Sequence, residues 1–307
     1  MNFKNIIFIA IIILFIAELV VMKEDVRHEE QDNKPTIALS TFSLYDITKN
    51  IVGDTANPFM ILPFGVDAHS YEPNPKQVVK IYKSALVVYS GAGLEPWIDG
   101  FEFKNKAINM SLHVELKNLD EHHHHHGHDN ESSTDPHYWL DFSNMIKATT
   151  LITKELVTLF PENKTLYETN KDKYITMLNN LDQEYSKELS TCRRETIVVN
   201  HNAFSYLSSK YGFEVEALSG LSPEAEPSAK NMAELIEHVK EHKLKTIFFE
   251  SFVSDKAIKS IAKEAKVEVD VLQPLGNITA DEAKQNLSYE DIMKTNLEKL
   301  SEALECR

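Results

Sequence analysis

Two series of short apolar runs, separated by a long stretch with none, constrain this chain more than any other feature. The first series is residues 36–42, 59–62, 85–90 and 107–110; the second is 196–200, 214–218, 246–250 and 268–272. Most are rich in β-branched residues and bounded by turn or cap signals, the pattern of strands. Helical stretches separate them, the clearest at 43–52, 74–83 and 229–242. In 74–83, Val78, Val79 and Tyr82 share a face, and Pro75 stands where a first helical turn tolerates proline. Strand–helix alternation implies parallel sheets covered by helices. The expected fold is therefore α/β, with two lobes that each carry a four-stranded parallel sheet.

The stretch between the series, residues 143–191, reads as linking helices. Pro161 divides it, because an interior proline removes a hydrogen bond and clashes with the preceding turn. Beyond it, Tyr174, Leu178, Leu181 and Tyr185 form a one-sided apolar stripe. Nearly thirty helical residues at about 1.5 Å each make a rod of roughly 40 Å, long enough to pack against both lobes. The lobes are placed at 35–142 and 192–307.

Residues 1–22 begin with a short basic start, followed by an apolar run broken only by Glu18. This is the form of an export signal, either cleaved or kept as an inner-membrane anchor. A polar linker follows at 23–34, and the folded part is expected outside the cytoplasm, in the periplasm. With 47 acidic against 32 basic residues the net charge is −15, which argues against nucleic-acid binding and suits a surface that gathers cations. In an oxidising compartment Cys192 and Cys306, the only cysteines, are a disulfide candidate, the alternative being two free thiols.

A histidine tract stands in the loop expected at 120–134, with His122, His123, His124, His125, His126 and His128 between acidic residues. Histidine-rich tracts read as metal-binding, and the internal acidic setting argues against an added tag. A tract without apolar neighbours must be ordered on binding, so an accessory, weaker role is expected of it. Three dispersed histidines make a sharper candidate. His69 follows the second strand, His137 lies just past the tract, and His201 ends the run at 196–201. Ligands of open α/β sheets bind beyond the carboxyl ends of strands, so His69 and His201 can meet between the lobes with His137 beside them.

Four stretches now gain meaning together: DAHSYEPNP at 67–75, DPHYWLD at 135–141, NHNAFSYL at 200–207 and SPEAEPS at 222–228. With them, the chain from about residue 34 to 307 resembles the cluster A-I family of metal-binding lipoproteins and periplasmic proteins, particularly its zinc-uptake branch. An acidic histidine-rich loop in this place is also a mark of that branch. The resemblance implies that His69, His137 and His201 are zinc ligands and that the metal sits between two lobes joined by a rigid helix. It also implies the partner, the membrane permease of an ABC transporter with its ATPase.

The chemistry agrees: Zn²⁺ favours nitrogen ligands in tetrahedral sites, whereas manganese favours more carboxylate oxygen. Many family members carry an acidic residue where this chain has Gln273, which tilts the site further toward zinc and leaves a fourth protein ligand in doubt. Glu250, at a strand end of the second lobe, is the other candidate for a fourth ligand or for an acceptor behind one of the histidines. Two rivals are a zinc-scavenging adhesin of the same family and a three-histidine zinc hydrolase. The hydrolase needs a general base within reach of a metal-bound water, and no motif supplies one. The expected function is capture and release of Zn²⁺ without a chemical step.

Overall fold

The computed structural model describes residues 34–119, 133–219, 221, 229–250 and 256–307. The expected export segment, the histidine tract and the SPEAEPS stretch lie outside these residues. Among the described residues no helix is long and apolar enough to cross a membrane.

The first lobe is built on β1 (Thr36–Leu39), β2 (Asn57–Met60), β3 (Leu86–Tyr89) and β4 (Ala107–Asn109), all parallel, in the order β2-β1-β3-β4. From β1 the chain crosses to one side through α1 (Phe42–Val52) and later to the other through α2 (Pro75–Lys83). The sheet therefore reverses direction between β1 and β3, the place where such sheets open a crevice. Local chemistry sets the helix limits. Asn74 accepts the amide hydrogens of Lys76 and Gln77 while Gln77 returns a bond to the Asn74 backbone, and Pro75 occupies the first turn. At the other end, α1 stops at Gly53, whose φ is 51°.

The second lobe holds β7 (Thr196–His201), β8 (Glu214–Ser219), β9 (Thr246–Phe249) and β10 (Glu268–Val271). β7 pairs with β8 and β9 with β10, both in parallel, while β7 and β9 lie side by side without a continuous ladder. The four expected strands are all present, as two hydrogen-bonded pairs. Between them run α5 (Ser205–Tyr211), α6 (Ala229–Glu241) and α7 (Lys256–Ala265), and the chain ends through α8 (Ala280–Lys284) and α9 (Tyr289–Ala303).

The linking segment is α3 (Phe142–Leu159) and α4 (Lys164–Leu189), with a 3-10 turn at Pro161–Asn163 where proline was expected to break the helix. The 26 residues of α4 span about 39 Å. Its buried stripe, Tyr174, Leu178, Leu181 and Tyr185, joins one continuous core with Leu39 and Val88 of the first lobe and Ile197 and Val199 of the second. A bond between Cys192 and Cys306 ties the end of the linking segment to the end of α9.

Sequence patterning missed a small hairpin, β5 (Lys117–Leu119) with β6 (Ser133–Asp135), antiparallel. Residues 133 and 134, expected in the loop, belong to this strand. Its three-residue strands, KNL and STD, carry a single apolar residue between them, so no apolar alternation marks them.

Candidate metal centre

The three dispersed histidines converge. His69 Nε2 lies 3.4 Å from His137 Nε2, and His201 Nε2 lies 3.4 Å from the same atom. A ligand atom of each lies within 4.8 Å of the others. For a tetrahedral ion with metal–nitrogen bonds of about 2.05 Å, two ligand nitrogens stand about 3.35 Å apart; a right-angled octahedral pair at that bond length stands at about 2.9 Å. The two measured edges match the tetrahedron. Ala68, Leu94, Trp139 and Pro274 supply an apolar wall around them.

Two devices deliver the three histidines. His69 and His137 sit in the same local turn, Asp-x-His: Asp67 Oδ1 accepts the His69 amide at 2.8 Å, and Asp135 Oδ1 accepts the His137 amide at 2.9 Å. A short side chain that bonds the backbone two residues on fixes a turn without secondary structure. His201 is the last residue of β7, and Glu250 immediately follows β9, so both stand at the carboxyl ends flanking the point where the second lobe reverses strand order.

Two carboxylates stand behind the cluster. Asp135 Oδ1 takes the Nδ1 hydrogen of His137 at 2.8 Å, and Glu250 Oε1 contacts Nδ1 of His201. Both acids are buried. An acceptor at Nδ1 keeps the hydrogen there and leaves Nε2 with its lone pair facing the centre, the tautomer a metal requires. Two buried carboxylates behind three imidazoles are also a setting that a divalent cation suits. Asp135 is itself gripped by the other lobe: Ser205 Oγ bonds its Oδ2, and the Tyr206 hydroxyl donates to its carbonyl at 2.9 Å.

Protonation preferences differ within the cluster. Burial, with the neighbouring His137 and His201, pulls His69 down to about 3. Burial also works against a charge on His201, but Glu250 beside it outweighs that, and the His201 pKa is raised. His69 is thus held neutral at neutral pH, whereas Glu250 favours a proton on His201.

Glu250, offered by the sequence as a fourth ligand or as an acceptor, stands in the second of these positions. Gln273 is not brought into the cluster: its Nε2 donates to Glu282 at 3.1 and 3.3 Å, toward the start of α8. His238 near the end of α6 and His242 just past it stack on each other, with ring centres 4.1 Å apart, and are not part of the three-histidine cluster. Asp135 was missed by sequence reading as a functional residue, although the repeated Asp-x-His spacing was the signal that marks it.

The model of the family described as "Zinc-uptake complex component A periplasmic" matches residues 37–303. Among curated relatives, the zinc-binding lipoprotein AdcA of Streptococcus pneumoniae is 35% identical over 287 residues, covering 90% of this chain and 57% of AdcA. The chain thus spans little more than half the length of that relative. The high-affinity zinc uptake system protein ZnuA of Bacillus subtilis is 32% identical over 285 residues, covering 90% of this chain and 89% of ZnuA. Among solved structures, the laminin-binding protein Lmb of Streptococcus agalactiae, described as bifunctional with adhesin and metal-transporting activity, aligns with a TM-score of 0.79 at 31% identity. That alignment covers 89% of this chain and all of Lmb. With almost the whole folded part matched, the chain belongs to the ZnuA family of zinc-uptake binding proteins.

Proposed function

We propose that this protein captures Zn²⁺ outside the cytoplasm at His69, His137 and His201 and hands it to the permease of an ABC transporter. The observation that carries the proposal is the pair of 3.4 Å Nε2 separations, the edge length of a tetrahedral zinc site. The chemistry is binding and release. Asp135 and Glu250, the buried acids nearest the cluster, are each engaged by a histidine nitrogen, which suits them to orient ligands. Family membership and the names of the relatives support both the ion and the partner class.

The histidine tract is proposed as an accessory collector. β5 and β6 bracket it, and β6 ends at Asp135, two residues before His137. Titration of Zn²⁺ against a competing chelator, in a chain lacking residues 121–131, tests both statements. One tight site retained after the deletion is the expected result. Weak binding alone would move the functional site to the tract.

A second reading, adhesion, is favoured by the likeness to Lmb. It predicts saturable binding to immobilised laminin, which the transport reading does not require.

A further inference from the structure

His137 and His201 are each held through Nδ1 by a buried carboxylate, whereas among the described residues no acceptor stands at Nδ1 of His69. His69 is also the least buried of the three. Its backbone is held instead: Asp67 Oδ1 accepts its amide, and the backbone before it is held from the opposite lobe.

After β10 the chain does not turn back over its own sheet. The Asn296 side chain grips Gln273 through both its main-chain groups, at 3.0 and 2.7 Å. From there residues 274–278 cross onto the first lobe. The Trp139 indole donates to the Pro274 carbonyl at 2.6 Å, and the Phe42 amide at the start of α1 donates to the Gly276 carbonyl at 2.9 Å. The Gly65 amide donates to the Ile278 carbonyl at 2.8 Å. In the middle of this strap, the Asn277 side chain spends both amide hydrogens on the loop that leads into His69, bonding the carbonyls of Pro63 and Val66 at 2.7 Å each. Its Oδ1 accepts the Ile278 amide at 2.8 Å, so every polar atom of the side chain is engaged and the residue is 1% exposed. Leu275 is wholly buried at φ 58°, a conformation leucine holds only when its surroundings enforce it.

We infer that Asn277 is a positioning residue for zinc capture: it pre-sets the 63–66 loop so that His69 meets the two carboxylate-held histidines without reorganisation. The strap also lines the site, through Pro274, Gly276 and Asn277. Through it the second lobe controls a ligand carried by the first. The inference rests on the proposed capture of Zn²⁺ at this site.

The test uses the full chain, with Zn²⁺ as the probe and a competing chelator. Asn277→Asp keeps the size and the acceptor oxygen but removes the two donors, and Asn277→Ala removes both functions. Both are expected to raise the Kd of the tight site tenfold or more, as loss of an outer partner of a metal ligand does, mainly through faster release. Wild-type affinity in Asn277→Asp, within about twofold, would overturn the inference. A variant that fails to fold does not remove the test, because amide hydrogen exchange of the wild-type protein reads the same device. The Gly65 amide should be protected in metal-free protein to nearly the extent seen with Zn²⁺; free-chain exchange that is suppressed only by Zn²⁺ refutes pre-setting. Failure of the wild-type chain to bind Zn²⁺ tightly would instead sink the functional reading, leaving the strap contacts readable by exchange.

Discussion

His201→Ala and His69→Ala should both abolish tight zinc binding, yet they should separate sharply in the stability of the metal-free protein. His201 and Glu250 are each 2% exposed at the side chain and are in contact. Truncating His201 leaves the Glu250 carboxylate buried without its partner, a change that costs about 3–5 kcal/mol in proteins generally. For the roughly 250 described residues the unfolding entropy is about 0.5 kcal/mol per degree, so the metal-free midpoint should fall by about 6–10 °C. His69 is only partly buried, and its ring is packed against other imidazoles rather than paired with an acid. Its truncation should move the metal-free midpoint by about 2 °C or less. Adding Glu250→Gln to His201→Ala removes the stranded charge and should restore several degrees without restoring zinc binding. Scanning calorimetry with chelator present measures all four proteins. Equal midpoints for the two single variants, or no recovery in the double one, would refute the argument that Glu250 is a buried anion held by His201.

Zinc affinity should fall as pH drops, because a proton on His201 excludes the metal. Since the His201 pKa is raised by Glu250 while that of His69 is lowered to about 3, the loss should begin above the ordinary histidine range. Affinity unchanged between pH 8 and pH 5 would contradict it. The Cys192–Cys306 bond closes a loop with a sequence separation of 114. Chain-entropy arguments give it at most about 4.8 kcal/mol. Cys192→Ser with Cys306→Ser should lower the midpoint by up to about 9 °C and leave the zinc Kd unchanged, since the bond ties the chain end to the segment after α4 and no atom of it lines the site.

The architecture was legible because its signals are local and repeated. β-branched runs such as 196–200 place strands, Pro161 and the Tyr174–Tyr185 stripe place the linking helices, and Asn74-Pro75 opens α2. Three ligand candidates were legible because histidine at a strand end, or in a motif, is an unusual thing to place there. The devices that hold them were less so. Glu250 is visible as a strand-end acid, but its contact with His201 depends on β7 and β9 lying side by side, which no sequence spacing records. Asp135 is bonded from α5, some seventy residues away. Asn277 works through backbone carbonyls at 63 and 66, and main-chain acceptors have no sequence signature at all. The hairpin β5–β6 escaped because three-residue strands with one apolar residue between them look like loop.

The placement of the site explains why two α/β lobes serve a cation better than one. The first sheet reverses direction between β1 and β3, and in the second lobe the change of direction falls where β7 and β9 lie side by side. Each place opens a crevice at strand carboxyl ends. Facing two of them brings His201 and Glu250 from the second lobe against His69, His137 and Asp135 from the first, a set no single sheet edge presents. The continuous core through α4 then limits how far the lobes can part, because separation would expose Tyr174, Leu178, Leu181 and Tyr185 together. At about 25 cal/mol per Å² and 150 Å² or more for each aromatic ring, that exposure costs far more than loosening one loop. Release of the ion is therefore cheaper by displacing the partly buried His69 and its loop than by opening the lobes as rigid bodies. The carboxylate-held pair, His137 and His201, would stay in place for the next ion.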